Sequence, residues 1–183
     1  MSRLREKLPE IVLEGLFVVF AILLALAADE WSDNRQNVEF ADRALQGIEA
    51  EMLANRVELL NSREPNLELL VRLQAEVSDN DPAVDLNVQF EYSLLSSAAW
   101  QTAQVTQAVH YIDYNLIQQI ARLYDLQELF VETQRGMVEQ MTGLAGDPDR
   151  FAEGALGRLG IVMGVEAGYM AVLDTMIVQV QNR

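Results

Sequence analysis

Cysteine is absent from the chain, and histidine occurs once, as His110. The first absence excludes a disulfide framework, thiolate zinc sites, iron-sulfur ligation and cysteine nucleophiles together. The second excludes a multi-histidine metal site within one chain. Ferritin-like di-iron chemistry needs Glu-x-x-His twice, and the residue three before His110 is Gln107. Basic residues are scarce as well: 13 Lys and Arg stand against 28 Asp and Glu, for a net charge of -15. Such a chain repels DNA and RNA and tolerates cationic partners better. No nucleophile elbow, phosphate loop or paired-carboxylate spacing stands near the cluster of Trp100, His110, Tyr111, Asp113 and Tyr114. These absences predict a protein that is not an enzyme and uses no metal or cofactor. Hydrophobic residues, by contrast, make up 50% of the 183, enough for a core and too many for disorder over most of the length.

Residues 11 to 28 read IVLEGLFVVFAILLALAA, with one charge, Glu14, and just reach the length of a transmembrane helix. Arg3, Arg5 and Lys7 precede this run and Asp29, Glu30 and Asp33 follow it. The basic side predicts a cytoplasmic amino terminus (residues 1–10) and an exported remainder (29–183), placing the protein in a bacterial inner membrane with a periplasmic domain. Glu14 lies near the inner interface, where a carboxylate can reach water, and Trp31 stands at the outer one as an interfacial anchor. Two alternatives remain open. Ala25, Leu26 and Ala27 form an A-x-A-like site that a cleaved signal peptide would carry, and Glu14 would also suit a core helix of a soluble protein. Asp29, Glu30 and Asp33 would form an acidic ring if copies assembled, with ordinary stop-transfer polarity as the simpler account.

Alternating steps of three and four run through Ala27, Trp31, Asn34, Val38, Ala41, Leu45, Ile48, Met52, Asn55 and Leu59. This stripe predicts that the membrane helix continues as one rod to about Asn61, with Asn34 and Asn55 as polar exceptions that are either solvated or register-fixing. Pro65 predicts a new helix start, and Leu67, Leu70, Leu73 and Val77 a short return helix ending at the breaker SDNDP, 78–82. A third helical segment is expected from Leu86 to Val109, broken near Trp100. A fourth begins at Asp113, where Leu116, Leu123, Phe130 and Met137 repeat at seven. The loop GDPD, 146–149, precedes a last helix from Pro148 to Val180. The expected fold is therefore all-α: an amino-terminal transmembrane helix continuing into a periplasmic up-and-down bundle of about four helices.

In that last helix Gly154, Gly157, Gly160, Gly164 and Gly168 fall on one arc. Glycine there costs about 1 kcal/mol each in helix propensity, a loss that close helix packing would offset. The arc is expected to be a helix-packing interface turned inward to the bundle. Residues 159–180 are apolar enough to suggest a second span, but Glu166 and Asp174 near the middle argue against it. Trp100, His110, Tyr111, Asp113 and Tyr114 form the densest functional-looking cluster. It reads either as a small-ligand pocket in which Asp113 orients His110, or as a helix start capped by Asp113 with the aromatics packed around it.

The stretch EGLFVVFAILLALAADEWSDNR, 14–35, resembles the signature of an uncharacterised bacterial family of short single-pass membrane proteins, in which a glutamate opens the span and a tryptophan closes it. AAWQTAQVTQAVHYIDYNLIQQIARLYDLQ, 98–127, is similar to that family's second recurring block. The resemblance implies the topology and no activity. The expectation is a membrane-anchored interaction or accessory subunit, whose partners are membrane lipid and other membrane or periplasmic proteins, further copies of itself included. A sensor-like, ligand-binding bundle is the alternative.

Overall fold

A computed structural model describes residues 2–79, 89–144 and 148–183, with side chains over 15–78, 89–140 and 151–183. The described residues are helical apart from short connections. They form α1 (Ser2–Asp79), α2 (Ala98–Val105), a 3-10 turn (Ala108–Tyr111), α3 (Tyr114–Leu144) and α4 (Pro148–Gln181). The chain divides into two units, residues 1–43 and 44–183.

In the first unit, Leu16, Phe17, Val18, Val19, Phe20, Ile22, Leu23, Leu24 and Leu26 are all more than half exposed. These nine apolar side chains surround the helix on every side, so no single packing partner could bury them. Each large apolar side chain left in water forgoes about 1.5–3 kcal/mol. The helix is long and apolar enough to cross a membrane.

The second unit is built on the heptad stripe. Leu45, Ile48, Met52 and Leu59 are buried as their spacing predicts, and the same rhythm continues through Ser62, Asn66, Leu69 and Leu73. Asn55 is buried with them and held by bonds to Ser96 and Gln127, so its solvated reading fails. Pro65 therefore does not start a new helix: α1 runs unbroken to Asp79, and the short return helix does not exist. Proline removes one N–H and disfavours the turn before it, but buried contacts on both sides of Pro65 hold the helix through it. The SDNDP breaker lies largely outside the described residues.

The return stroke is instead made by an extended segment, residues 89–97, where a helix from Leu86 was expected. Its hydrogen bonds to α1 run antiparallel, from Glu91 on Asn66 to Ser96 on Asn55. The chain then closes with α2 and the 3-10 turn, reached through Gln107 in the left-handed region at φ 61°. Helix α3 runs parallel to α1, as Glu51 meets Tyr124 and Asn55 meets Gln127. Helix α4 runs antiparallel to α1: Gln181, Asp174 and Glu166 meet Glu49, Arg56 and Arg63 in turn. It packs along α3 as well, with Phe130 and Tyr169 stacked at 6.1 Å. The described residues are thus all-helical with four helices, as expected; the strokes alternate in direction, but the one between α1 and α3 is made by the crossover and not by a helix.

Candidate functional site

The extended segment is held by side chains acting as a strand partner would. Asn66 donates Nδ2–H to the Glu91 carbonyl at 2.8 Å and accepts the Glu91 N–H at 2.9 Å. Gln134 does the same for Ser93, and Asn55 for Ser96. Glu58 accepts the Leu94 N–H, and the Ser62 and Ser93 hydroxyls share a hydrogen bond. Buried peptide groups must find partners, and three side-chain amides supply both a donor and an acceptor each. Among the described residues, every buried side-chain nitrogen and oxygen has a partner.

Glu51 closes this ladder. Its carboxylate accepts from the Ala99 N–H at 2.9 Å, the Trp100 N–H at 3.4 Å, the Ser96 hydroxyl at 2.7 Å and the Tyr124 hydroxyl at 2.7 Å. It sits at the amino-terminal end of α2, where a negative charge is favoured. Burial pushes the carboxyl up, but the bonds from Ala99, Tyr124, Ser96 and Trp100 outweigh that, and its pKa lies below the ordinary 4.5. Tyr124 is pushed up, by burial and by its bond to the Glu51 carboxylate. A carboxylate accepting four bonds has its lone pairs engaged. Glu51 thus fastens the crossover to the α1–α3 layer.

The residues of the expected pocket lie on successive elements: Trp100 in α2, His110 and Tyr111 in the 3-10 turn, and Tyr114 at the start of α3. Trp100 stacks on Tyr124 at 5.4 Å with the rings nearly parallel, beside Glu51. His110, Tyr111 and Tyr114 are exposed, and the Tyr114 hydroxyl accepts from Gln118. Asp113 caps α3, its Oδ1 accepting the N–H groups of Asn115 and Leu116 at 3.0 Å each. The helix-start reading of Asp113 therefore holds. Tyr111 and Tyr114 do not pack inward as that reading expected. Sequence reasoning passed over Glu51, Asn66 and Gln134, whose polarity hides them; the signal that could have found Asn66 is the heptad rhythm continued past Leu59.

The glycine arc also differs from its expectation. A Cβ added at Gly157, Gly160, Gly164 or Gly168 meets nothing within 4 Å, and Gly154 is part-exposed. The arc faces out because Leu159, Val162, Glu166, Tyr169, Leu173 and Met176 turn the opposite side of α4 into the core. A Cβ added at Gly47 of α1 would come 3.8 Å from the Ala99 methyl, an ordinary contact. The four open glycines thus carry a propensity cost of about 1 kcal/mol each with no return inside the chain.

The two carboxylates that argued against a second span are both paired with α1. Arg63 Nη1 lies 2.8 Å from Glu166, whose side chain is 1% exposed, and Arg56 Nε lies 2.6 Å from Asp174. Burial raises the Glu166 carboxyl above its ordinary value, against the opposing pull of Arg63. Helix α4 is long and apolar enough to cross a membrane, but its inner side is part of the bundle core.

In the first unit Trp31 is exposed, and Glu14 is in α1 with its side chain outside the described residues. Among the described residues no group of three or more metal-ligating side chains comes together, so Asp29, Glu30 and Asp33 do not converge within one chain. No family model, curated protein or solved structure matches the chain.

Proposed function

We propose that the chain is a membrane-anchored interaction protein, an accessory subunit of a bacterial inner-membrane assembly without catalysis of its own. Residues 11–28 serve as the span, the amino terminus is cytoplasmic, and the acidic helical unit is periplasmic. The observation that carries this reading is the run Leu16–Leu26, apolar on all sides and unburied in a folded helix. Arg3, Arg5 and Lys7 before the run and Asp29, Glu30 and Asp33 after it support the orientation. The resemblance of residues 14–35 to a family of single-pass proteins agrees with it. In the helical unit the buried polar groups hold the crossover or, for Glu166, pair with Arg63 of α1, and this supports surfaces rather than a cleft as the working parts.

The test is fractionation of cells producing the full chain. It should resist carbonate extraction, and externally added protease should digest the helical unit in spheroplasts while sparing a cytoplasmic amino-terminal tag. Phe20→Arg, at the middle of the run, should release the protein from the membrane, because arginine there costs about 2.5–3.5 kcal/mol on insertion scales. Recovery of the unaltered chain in the soluble fraction, shortened after Ala27, would establish a cleaved leader and overturn the anchor.

A further inference from the structure

Helix α1 carries a second stripe of large apolar side chains that the chain itself leaves uncovered. Leu53, Val57, Leu60, Leu67 and Val71 continue the steps of four and three, interrupted by Glu64, and are between 40% and 68% exposed. At about 100° per residue these positions lie next to Arg56 and Arg63, on the flank that meets α4 and away from Glu51, Asn55 and Ser62, which hold the crossover. On α4 the open positions Gly157, Gly160, Gly164, Ala167 and Ala171 lie beyond Asp174 and Gln181, the residues that meet α1. Because the two helices are antiparallel, both arcs turn to the same side of the pair. One face of the unit therefore presents a ridge on α1 beside a groove on α4.

We propose that this face is a homodimer interface, in which each copy seats its α1 ridge in the glycine groove of the other copy's α4. The inference rests on reading the chain as a membrane-anchored interaction protein, and it names the first partner as a second copy. A two-fold interface requires a surface complementary to itself, and a ridge beside a groove of matching length on one face has that property. With the two-fold axis along the helices, α1 of one copy lies antiparallel to α4 of the other, repeating the pairing inside the chain. Both copies then have Ala44, where the unit begins, at the same end, as two copies anchored in one bilayer need.

The area is sufficient. The ridge, the groove, Ile161 and Val178 together expose on the order of 1,000 Å², above the roughly 300–600 Å² of the largest patch on a typical monomer and near one partner's share of a standard interface. The net charge of -15 opposes self-association. The face itself adds little to that repulsion: from Leu53 to Val71 the ridge carries one charge, Glu64, the groove positions carry none, and the flanking carboxylates Asp174 and Glu166 are paired with Arg56 and Arg63. Confinement of both copies to one membrane raises their effective concentration further.

The experiment is native mass measurement and sedimentation of the full chain extracted in mild detergent, with carbonate extraction of the same membranes run in parallel. A dimer is expected. Gly164→Leu fills the groove from a Cβ that meets nothing within 4 Å in its own chain, so it should weaken dimerisation at least tenfold while the helical circular dichroism and thermal unfolding are kept. Leu60→Glu should do the same from the ridge. Because the chain has no cysteine, co-produced copies carrying Leu67→Cys and Gly164→Cys, with different tags, should join in an intermolecular disulfide. A chain that stays monomeric while resisting carbonate, a dimer indifferent to both Gly164→Leu and Leu60→Glu, or a different protein seated on this face would overturn the homodimer. Loss of carbonate resistance would instead count against the membrane reading, whatever the mass.

Discussion

Asn55 grips Ser96 by both ends of its amide: Nδ2 donates to the Ser96 carbonyl at 2.8 Å and Oδ1 accepts the Ser96 N–H at 2.8 Å. The residues are 41 apart in sequence, and Asn55 is 2% exposed. Asn55 also donates to Gln127 Oε1, whose Nε2 returns to the same Ser96 carbonyl. One side chain thereby joins α1, the crossover and α3.

Asn55→Leu, close in volume, should be among the most destabilising changes in the helical unit. It leaves the part-buried Ser96 N–H without its acceptor and the buried Gln127 Oε1 without the Asn55 donor, and each lost partner costs about 1–3 kcal/mol. Urea unfolding should show a loss of about 2–4 kcal/mol. A change below 0.5 kcal/mol would mean that the crossover is not held through this amide. Asn34, exposed on the same stripe, should tolerate leucine with an effect within about 0.5 kcal/mol.

Acid should loosen the crossover through Glu51. Its folded pKa is depressed below 4.5, so its contribution is fully present above about pH 4.5 and is lost as pH falls through the folded value. Glu166 has the opposite sign. Its folded pKa is raised, so its contribution is full below pH 4.5 and declines as pH rises through the folded value. The stability of Glu51→Gln should therefore fall less steeply than that of the unaltered chain below pH 4.5. Glu166→Gln should alter the slope above it. Unfolding free energies measured from pH 3 to 7 separate the two, and parallel curves for Glu51→Gln and the unaltered chain would remove Glu51 from the acid response.

The two α1–α4 ion pairs should differ in cost although their geometries are alike. Arg63→Met leaves Glu166, 1% exposed, without its charge partner, and breaking a buried pair from one side costs about 3–5 kcal/mol. Arg56→Met leaves Asp174, 47% exposed, where water replaces the partner, and the cost should be about 0–1 kcal/mol. Replacing both members of the buried pair, Arg63→Met with Glu166→Leu, should recover most of the loss. Equal effects of the two single changes in urea unfolding would show that burial does not set their difference.

The parts of the fold that were legible in the sequence are those whose signal is local and apolar. Leu45, Ile48, Met52 and Leu59 mark the buried side of α1 by spacing alone, and Asp113 marks the start of α3 because a carboxylate one position ahead can reach two free N–H groups. The stripe was lost at Ser62 and Asn66 because their burial depends on peptide groups at Ser93 and Glu91, far along the chain. The crossover was misread as helix for the same reason: Phe90, Leu94, Leu95 and Ala98 have a helix-like rhythm, but partners on α1 and α3 satisfy the backbone in extended form. The cluster around His110 looked like a site by residue type, whereas Trp100 stacks on Tyr124 and His110, Tyr111 and Tyr114 are exposed. Spacing placed the glycines on one arc correctly and could not say which way the arc faces; that is fixed by Leu159, Val162 and Tyr169 opposite.

The outward glycines supply the last prediction. Gly160→Ala, Gly164→Ala and Gly168→Ala each add a methyl where no atom lies within 4 Å. Each also removes backbone freedom from the unfolded chain, so each should stabilise the unit by about 0.5–1 kcal/mol. The three side chains would point into open space and share no partner inside the chain, so the triple variant should gain nearly the sum, about 2–3 kcal/mol. Urea unfolding at low protein concentration, where association adds nothing, measures this directly. Destabilisation by any of the three would mean that the arc is covered within the folded unit, and that the groove on α4 is not an open surface.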